Sequence, residues 1–140
     1  YNNLFIPANP DEKQHYGFPV YSRDSYPSWA AGNAYYGVAQ PKADEKNTIL
    51  KPDVNPSFKL EEKGNEVYVS FDLQGFNDFI TSLITTETLG KAKFPKEAYE
   101  QPDGAPIMFN IDYHGNTRSQ TPAPGPFERS KTGANSFRVW

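Results

Sequence analysis

Between Tyr21 and Tyr36 the chain collects Tyr21, Arg23, Asp24, Tyr26, Trp29, Asn33, Tyr35 and Tyr36 among Pro27, Gly32 and Gly37. Aromatic faces stack on sugar rings, while nearby Asn, Asp and Arg side chains take the hydroxyls. Tyr21, Arg23, Asp24, Tyr26, Trp29 and Tyr36 are therefore the expected saccharide-contacting set, with Asn33 and Tyr35 beside them. A competing reading is core. Only 36 % of the residues are hydrophobic, and 10 Phe, 9 Tyr and 2 Trp supply much of that share. Aromatic rings must then do core work. On this second reading Trp29 and one of Tyr35 and Tyr36 are buried. Tyr21 and Tyr26, in a polar loop, divide between the two.

No catalytic constellation stands out. Glycoside hydrolysis usually needs two carboxylates about 5–10 Å apart, and sequence alone cannot pair the 17 acidic residues. Asp24, among Tyr21, Arg23 and Tyr26, is the most suggestive, followed by Asp112. The plain alternatives are a turn cap for Asp24, and a turn hydrogen bond or an Arg118 pair for Asp112. His15 and His114 stand far apart, with no metal-ligand spacing, and a solvated ring is the plain reading of each. A Gly-x-Ser-x-Gly elbow, a phosphate-cradling glycine loop and cysteine are all lacking. No catalytic residue and no cofactor are assigned. Calcium is the one metal with donors in loops, at Asp44, Glu45, Asp53 and Asn55, but their spacing fits no known loop, and solvated charge accounts for them.

Length and charge narrow the partners. A 140-residue chain suits one domain with its own core. The net charge is −3, and the 14 Lys and Arg are scattered, so nucleic acid is not expected. No apolar run approaches the roughly 20 residues that span a bilayer.

The elements that must position the aromatic stretch are short. With 10 Gly and 13 Pro, strands and turns are favoured over long helices. "YNNLFIP" (1–7) reads as a strand stopped by Pro7, and "NAYYGVAQP" (33–41) as another. Residues 8–34 read as a long ordered loop, and "KADEKNT" (42–48) as a charged surface connection. "SFKLEEKGNEVYVSFDL" (57–73) is a hairpin turning at Gly64-Asn65, with Val67, Val69, Phe71 and Leu73 on one face. Phe76, Phe79, Ile80, Leu83 and Ile84 fit a short helix within 75–90, ended by Gly90. Alternation predicts a strand from Ile107 to Tyr113, and "SFRVW" (136–140) another. The fold class is mainly β, with long loops and one short helix. It is one domain, 1–140: an aromatic, loop-rich part (1–56), then a hairpin and closing segment (57–140).

The order of these phrases resembles the C-terminal region of secreted bacterial right-handed parallel β-helix proteins of the pectate-lyase-like kind. The most specific part is Asp103-Gly104, Pro106-Ile107, Asp112, Gly115, Arg118 and Gly125-Pro126-Phe127-Glu128. The ending departs from the family's usual Gly-Ala-aromatic-Glu, and the repeating rungs that carry the family's catalytic residues are absent. The resemblance implies the cap or tail of a parallel β-helix, covering the exposed end of a solenoid. It implies the C-terminal part of a polysaccharide-degrading glycoside hydrolase or lyase, with glycan and the remainder of a longer β-helix chain as partners. It also implies a secreted, periplasmic or cell-surface location in a bacterium. The start at Tyr1, without Met, reads as a removed leader or a piece of a longer chain. Two other classes stay open: an autonomous carbohydrate-binding module, and a structural or assembly domain pairing through strand edges.

Overall fold

The computed structural model describes residues 1–8, 17–22, 27–77 and 79–140. Their regular elements are β1 (Leu4–Phe5), a 3-10 turn (Pro19–Ser22), β2 (Ala34–Tyr36), β3 (Ile49–Lys51), β4 (Lys59–Lys63), β5 (Glu66–Leu73), α1 (Thr86–Leu89) and β6 (Gly133–Arg138). They make two three-stranded sheets, ordered β1-β2-β3 and β4-β5-β6. The fold is mainly β with one short helix, as expected; the two small sheets do not themselves form a solenoid.

The first sheet is parallel. Leu4 pairs with Ala34 and Ala34 with Ile49, so equivalent positions lie above one another. Isolated parallel bridges, Gly17 to Gln40 and Ala31 to Lys46, extend the stack beyond the strands. Strands this short have few ladder bonds, and side-chain stacks supplement them. Phe5 lies flat on Tyr35, with centroids 4.7 Å apart. One layer away, Asn33 Oδ1 accepts from the Asn3 amide N–H and from Asn3 Nδ2, at 2.7 and 2.9 Å.

The second sheet is antiparallel. Its hairpin turns at Gly64-Asn65, as the alternation predicts, and Gly64 takes the positive φ that suits glycine. The C-terminal strand β6 pairs along β5 from Gly133 to Arg138. Val69, Phe71 and Leu73 turn inward and meet Ala34 and Tyr36 of the first sheet, with Phe76, Ala123 and Phe127, in one apolar cluster.

Two expectations differ from the structure, and one strand has no counterpart among them. The helix predicted within 75–90 is only Thr86–Leu89, capped by the Thr85 hydroxyl and ended at Gly90. Phe76, Leu83 and Ile84 are buried from irregular backbone instead, while Ile80 is exposed, so the helical spacing marks neither a helix nor one buried face. Residues 107–113 alternate but form no strand. Their pairing is limited to bridges of Met108 with Thr85 and Ile111 with Thr117. Met108, Phe109, Ile111 and Tyr113 are all exposed, so no buried face rewards the alternation. Strand β3 lies just after the stretch read as a surface connection. Its three residues carry no period of their own and are ordered by pairing with β2.

Candidate functional site

The aromatic stretch divides in the structure. Ala34, Tyr35 and Tyr36 are each 0 % exposed. Parallel strands are commonly covered on both faces, so the rule that sends alternate residues outward fails here. Tyr36 was expected to contact saccharide; it lies in the core, and its hydroxyl donates to the Gln74 carbonyl at 3.3 Å. Burial, and next the Asp72 charge, push its phenol up to about 12. Tyr35 faces the other way. Its hydroxyl donates to Glu45 Oε2 at 2.7 Å, and burial first, then this bond, hold its phenol far above the usual range. Glu45 Oε1 accepts Asn33 Nδ2 at 2.7 Å, so one carboxylate braces two buried side chains of the aromatic stretch.

A run of ring contacts leads from this buried layer to the surface. Tyr35 stacks on Phe5, Phe5 meets Phe18 edge-on at 4.8 Å, and Phe18 meets Tyr21 edge-on at 5.5 Å. Gly17 makes the approach feasible. Its φ is +91°, and a Cβ there would stand 2.2 Å from the Gln40 carbonyl oxygen, which accepts the Phe18 amide. The 3-10 turn is tied to the next loop by Ser22 Oγ, which accepts the Ala43 amide at 2.9 Å.

At the end of this run is a pocket of about 210 Å³ lined by Phe18, Tyr21, Ser28, Trp29, Ala30 and Lys42. Tyr21 is 45 % and Trp29 62 % exposed, so both present ring surface to solvent. Trp29 is thus a surface ring and not a core one. The Ser28 hydroxyl is buried and has no hydrogen-bond partner among the described residues. The Lys42 side chain is largely buried, and its ammonium pairs with Asp44. Sequence reasoning brought Tyr21 and Trp29 to this site but missed Phe18, Ser28 and Lys42. The Lys42 signal was present, a lysine just after the Pro41 that ends the second strand phrase, but only the fold brings it beside Trp29. Arg23, Asp24 and Tyr26 of the expected set, and His15, lie outside the described residues.

The other chemical candidates are structural. Asp112 is buried and gathers amide donors: His114 N and Asn116 N on Oδ1, Glu128 N on Oδ2, and Asn116 Nδ2 on both. Burial opposes its charge, but these hydrogen bonds outweigh it and hold the carboxyl below its ordinary value. Arg118 pairs not with Asp112 but with Glu128 at 3.4 Å, and it also donates to the Ala123 and Gly125 carbonyls. His114 Nε2 bonds the Arg138 carbonyl oxygen at 2.6 Å. Of the calcium donors, Glu45 is engaged by Asn33 and Tyr35 and Asp44 by Lys42. Among the described residues no three His, Cys, Asp or Glu stand together as a metal site, and no helix is long and apolar enough to cross a membrane.

A larger groove, about 610 Å³, runs along β1 against Ile84, Leu89, Phe109 and Ile111. Three of its polar side chains are engaged elsewhere: Asn2 Nδ2 with the Ser82 carbonyl, Asn3 with Asn33, and Arg118 with the Glu128 network; Tyr1 also lines it. The smaller pocket is the one lined by the exposed Tyr21 and Trp29 rings, and such rings suit stacking on a sugar.

No family model matches the chain, and no curated protein matches it. Its fold is similar to part of a solved structure, the complex structure of XylC with xylose. The TM-score is 0.79 at 24 % sequence identity, over 100 % of this chain and 26 % of that one. This chain therefore spans about a quarter of the length of the chain it matches.

Proposed function

We propose that this chain is a carbohydrate-associated part of a larger protein and holds saccharide in the Phe18–Tyr21–Trp29 pocket. One observation carries the reading: two exposed rings, Tyr21 and Trp29, line a small pocket, and Tyr21 is anchored through Phe18 and Phe5 to a buried strand. Solvent-facing rings on a rigid support are what sugar stacking needs. The fold likeness to a protein solved with xylose favours a saccharide over other small ligands.

In the same proposal the chain is the closing region of a right-handed parallel β-helix of the pectate-lyase-like kind, within a secreted or cell-surface bacterial glycoside hydrolase or lyase. The stacked register of β1, β2 and β3, with its Asn3–Asn33 and Phe5–Tyr35 layers, supports this. The chain's own share is binding and capping. Its expected partners are glycan and the rest of such a chain.

Affinity electrophoresis through gels cast with xylan tests the reading. Retardation of the folded protein is expected, and Trp29→Ala should remove it without unfolding. Unretarded migration of folded protein on xylan and on a panel of other polysaccharides would refute saccharide binding. A second reading, an assembly domain, draws on the apolar groove along β1 with Phe109 and Ile111 exposed. Concentration-dependent association in sedimentation, abolished by Phe109→Ser, would favour it.

A further inference from the structure

Buried polar side-chain atoms nearly always have a hydrogen-bond partner, so an exception points to a group that the fold itself does not supply. Among the described residues, three buried side-chain oxygens have no partner, at Ser28, Asp72 and Ser130, and Ser28 is the one that lines the aromatic pocket. A hydroxyl offers one donor and two acceptor positions, and burying it unused opposes folding. Ser28 directly precedes Trp29, whose exposed ring lines the same pocket of about 210 Å³. A sugar stacked on Trp29 in so small a space carries its hydroxyls close to the Ser28 oxygen. The backbone just beyond is anchored. The Ala31 carbonyl accepts the Asn2 amide at 3.1 Å, and the Gly32 amide donates to the Lys46 carbonyl at 3.1 Å. The ring and the hydroxyl then do different work. An aromatic face holds a sugar by apolar contact and tolerates rotation over the ring; a polar group beside it fixes the orientation.

We infer that Ser28 is the residue that orients the saccharide, its hydroxyl bonding a ring hydroxyl of the sugar stacked on Trp29. The inference rests on the proposed saccharide reading and deepens it by naming the polar group of the site. It sets folding and binding against each other at one atom. Removing the hydroxyl relieves the unliganded fold of a buried, unpartnered group, and it takes a hydrogen bond from the complex.

Ser28→Ala is the test, compared with the unaltered protein and with Trp29→Ala. Two quantities are read: the xylan concentration giving half-retardation in affinity gels, and the thermal unfolding midpoint with and without xylotriose. Ser28→Ala should need about five- to tenfold more xylan, the effect of one lost neutral hydrogen bond. Its midpoint without ligand should be unchanged or raised by up to about 2–4 °C, and the rise produced by xylotriose should be smaller than in the unaltered protein. Undiminished retardation of Ser28→Ala, with Trp29→Ala released, overturns the inference and leaves saccharide binding intact; if Trp29→Ala is also retained, the pocket itself falls as the site. A lowered midpoint in Ser28→Ala overturns the inference too, because the hydroxyl would then have a partner within the fold. Free migration of the unaltered folded protein on xylan and on a panel of other polysaccharides removes the inference together with the saccharide reading beneath it.

Discussion

Tyr35 and Trp29 lie six positions apart in one aromatic stretch, and the fold gives them opposite work. Tyr35 is fully buried, stacked on Phe5 and tied to Glu45. Trp29 is 62 % exposed on the rim of a pocket, and no ring stacking is recorded for it among the described residues. The buried half (Asn33 to Tyr36) holds the parallel sheet to the second sheet. The exposed half, with Tyr21 across the pocket, has surface left over for a ligand. Composition alone treats these rings alike. What separates them is pairing: β2 has a neighbour on each side, and residues 27–30 have none.

The largest effects should come from the buried half. Tyr35→Ala or Tyr36→Ala removes a fully buried ring and is expected to cost about 3–5 kcal/mol in urea-unfolding stability. A loss below about 1 kcal/mol would show that these rings are not core. Glu45→Ala leaves the Tyr35 hydroxyl and the Asn33 amide without their acceptor. The expected cost is about 1–3 kcal/mol per orphaned group, less whatever water recovers, read by thermal and urea unfolding.

The closing loop around Asp112 should show its effect through pH. The folded carboxyl titrates below its ordinary value of 3.8, so its stabilising contribution is present above that value. It is lost as pH falls through the lower folded value. Stability measured from pH 6 downward should therefore fall less steeply near and below pH 4 in Asp112→Asn than in the unaltered protein, after an initial loss at neutral pH. Parallel curves would mean that the amides around Asp112 do not favour its charged form.

The smallest stability effect belongs to the exposed half. Trp29→Ala should change unfolding stability by less than about 0.5 kcal/mol, as surface substitutions usually do. A drop of several kcal/mol would place the ring in the core and remove the contrast with Tyr35.

Much of the frame is legible in the sequence where the signal is local. The 57–73 hairpin declares itself by period-2 alternation around Gly64-Asn65; the strand expected at 136–140 is met only in part, since β6 runs Gly133–Arg138 and ends before Val139. The signals fail where order comes from distant partners. Ile49–Lys51 become a strand because Ala34–Tyr36 lie alongside, a pairing across a connection with no period of its own. Residues 107–113 have the alternation but no neighbouring strand along their length, and remain irregular. The same cause misassigned Tyr36. Alternation sorts a strand into inside and outside only if one face meets water, and β2 is covered on both. Of the site, Tyr21 and Trp29 were visible as rings in a polar loop. Phe18, Ser28 and Lys42 join them only through the stack that sets Gly17 beside Gln40 and Ala31 beside Lys46.

The division of the aromatic stretch is tested most directly by one paired measurement on Tyr21→Ala/Trp29→Ala: xylan affinity electrophoresis and thermal unfolding of the same preparation. The account predicts that retardation by xylan disappears while the unfolding midpoint stays within a few degrees of the unaltered protein. Undiminished retardation with the fold intact, or a collapse of the unfolding transition, would contradict it.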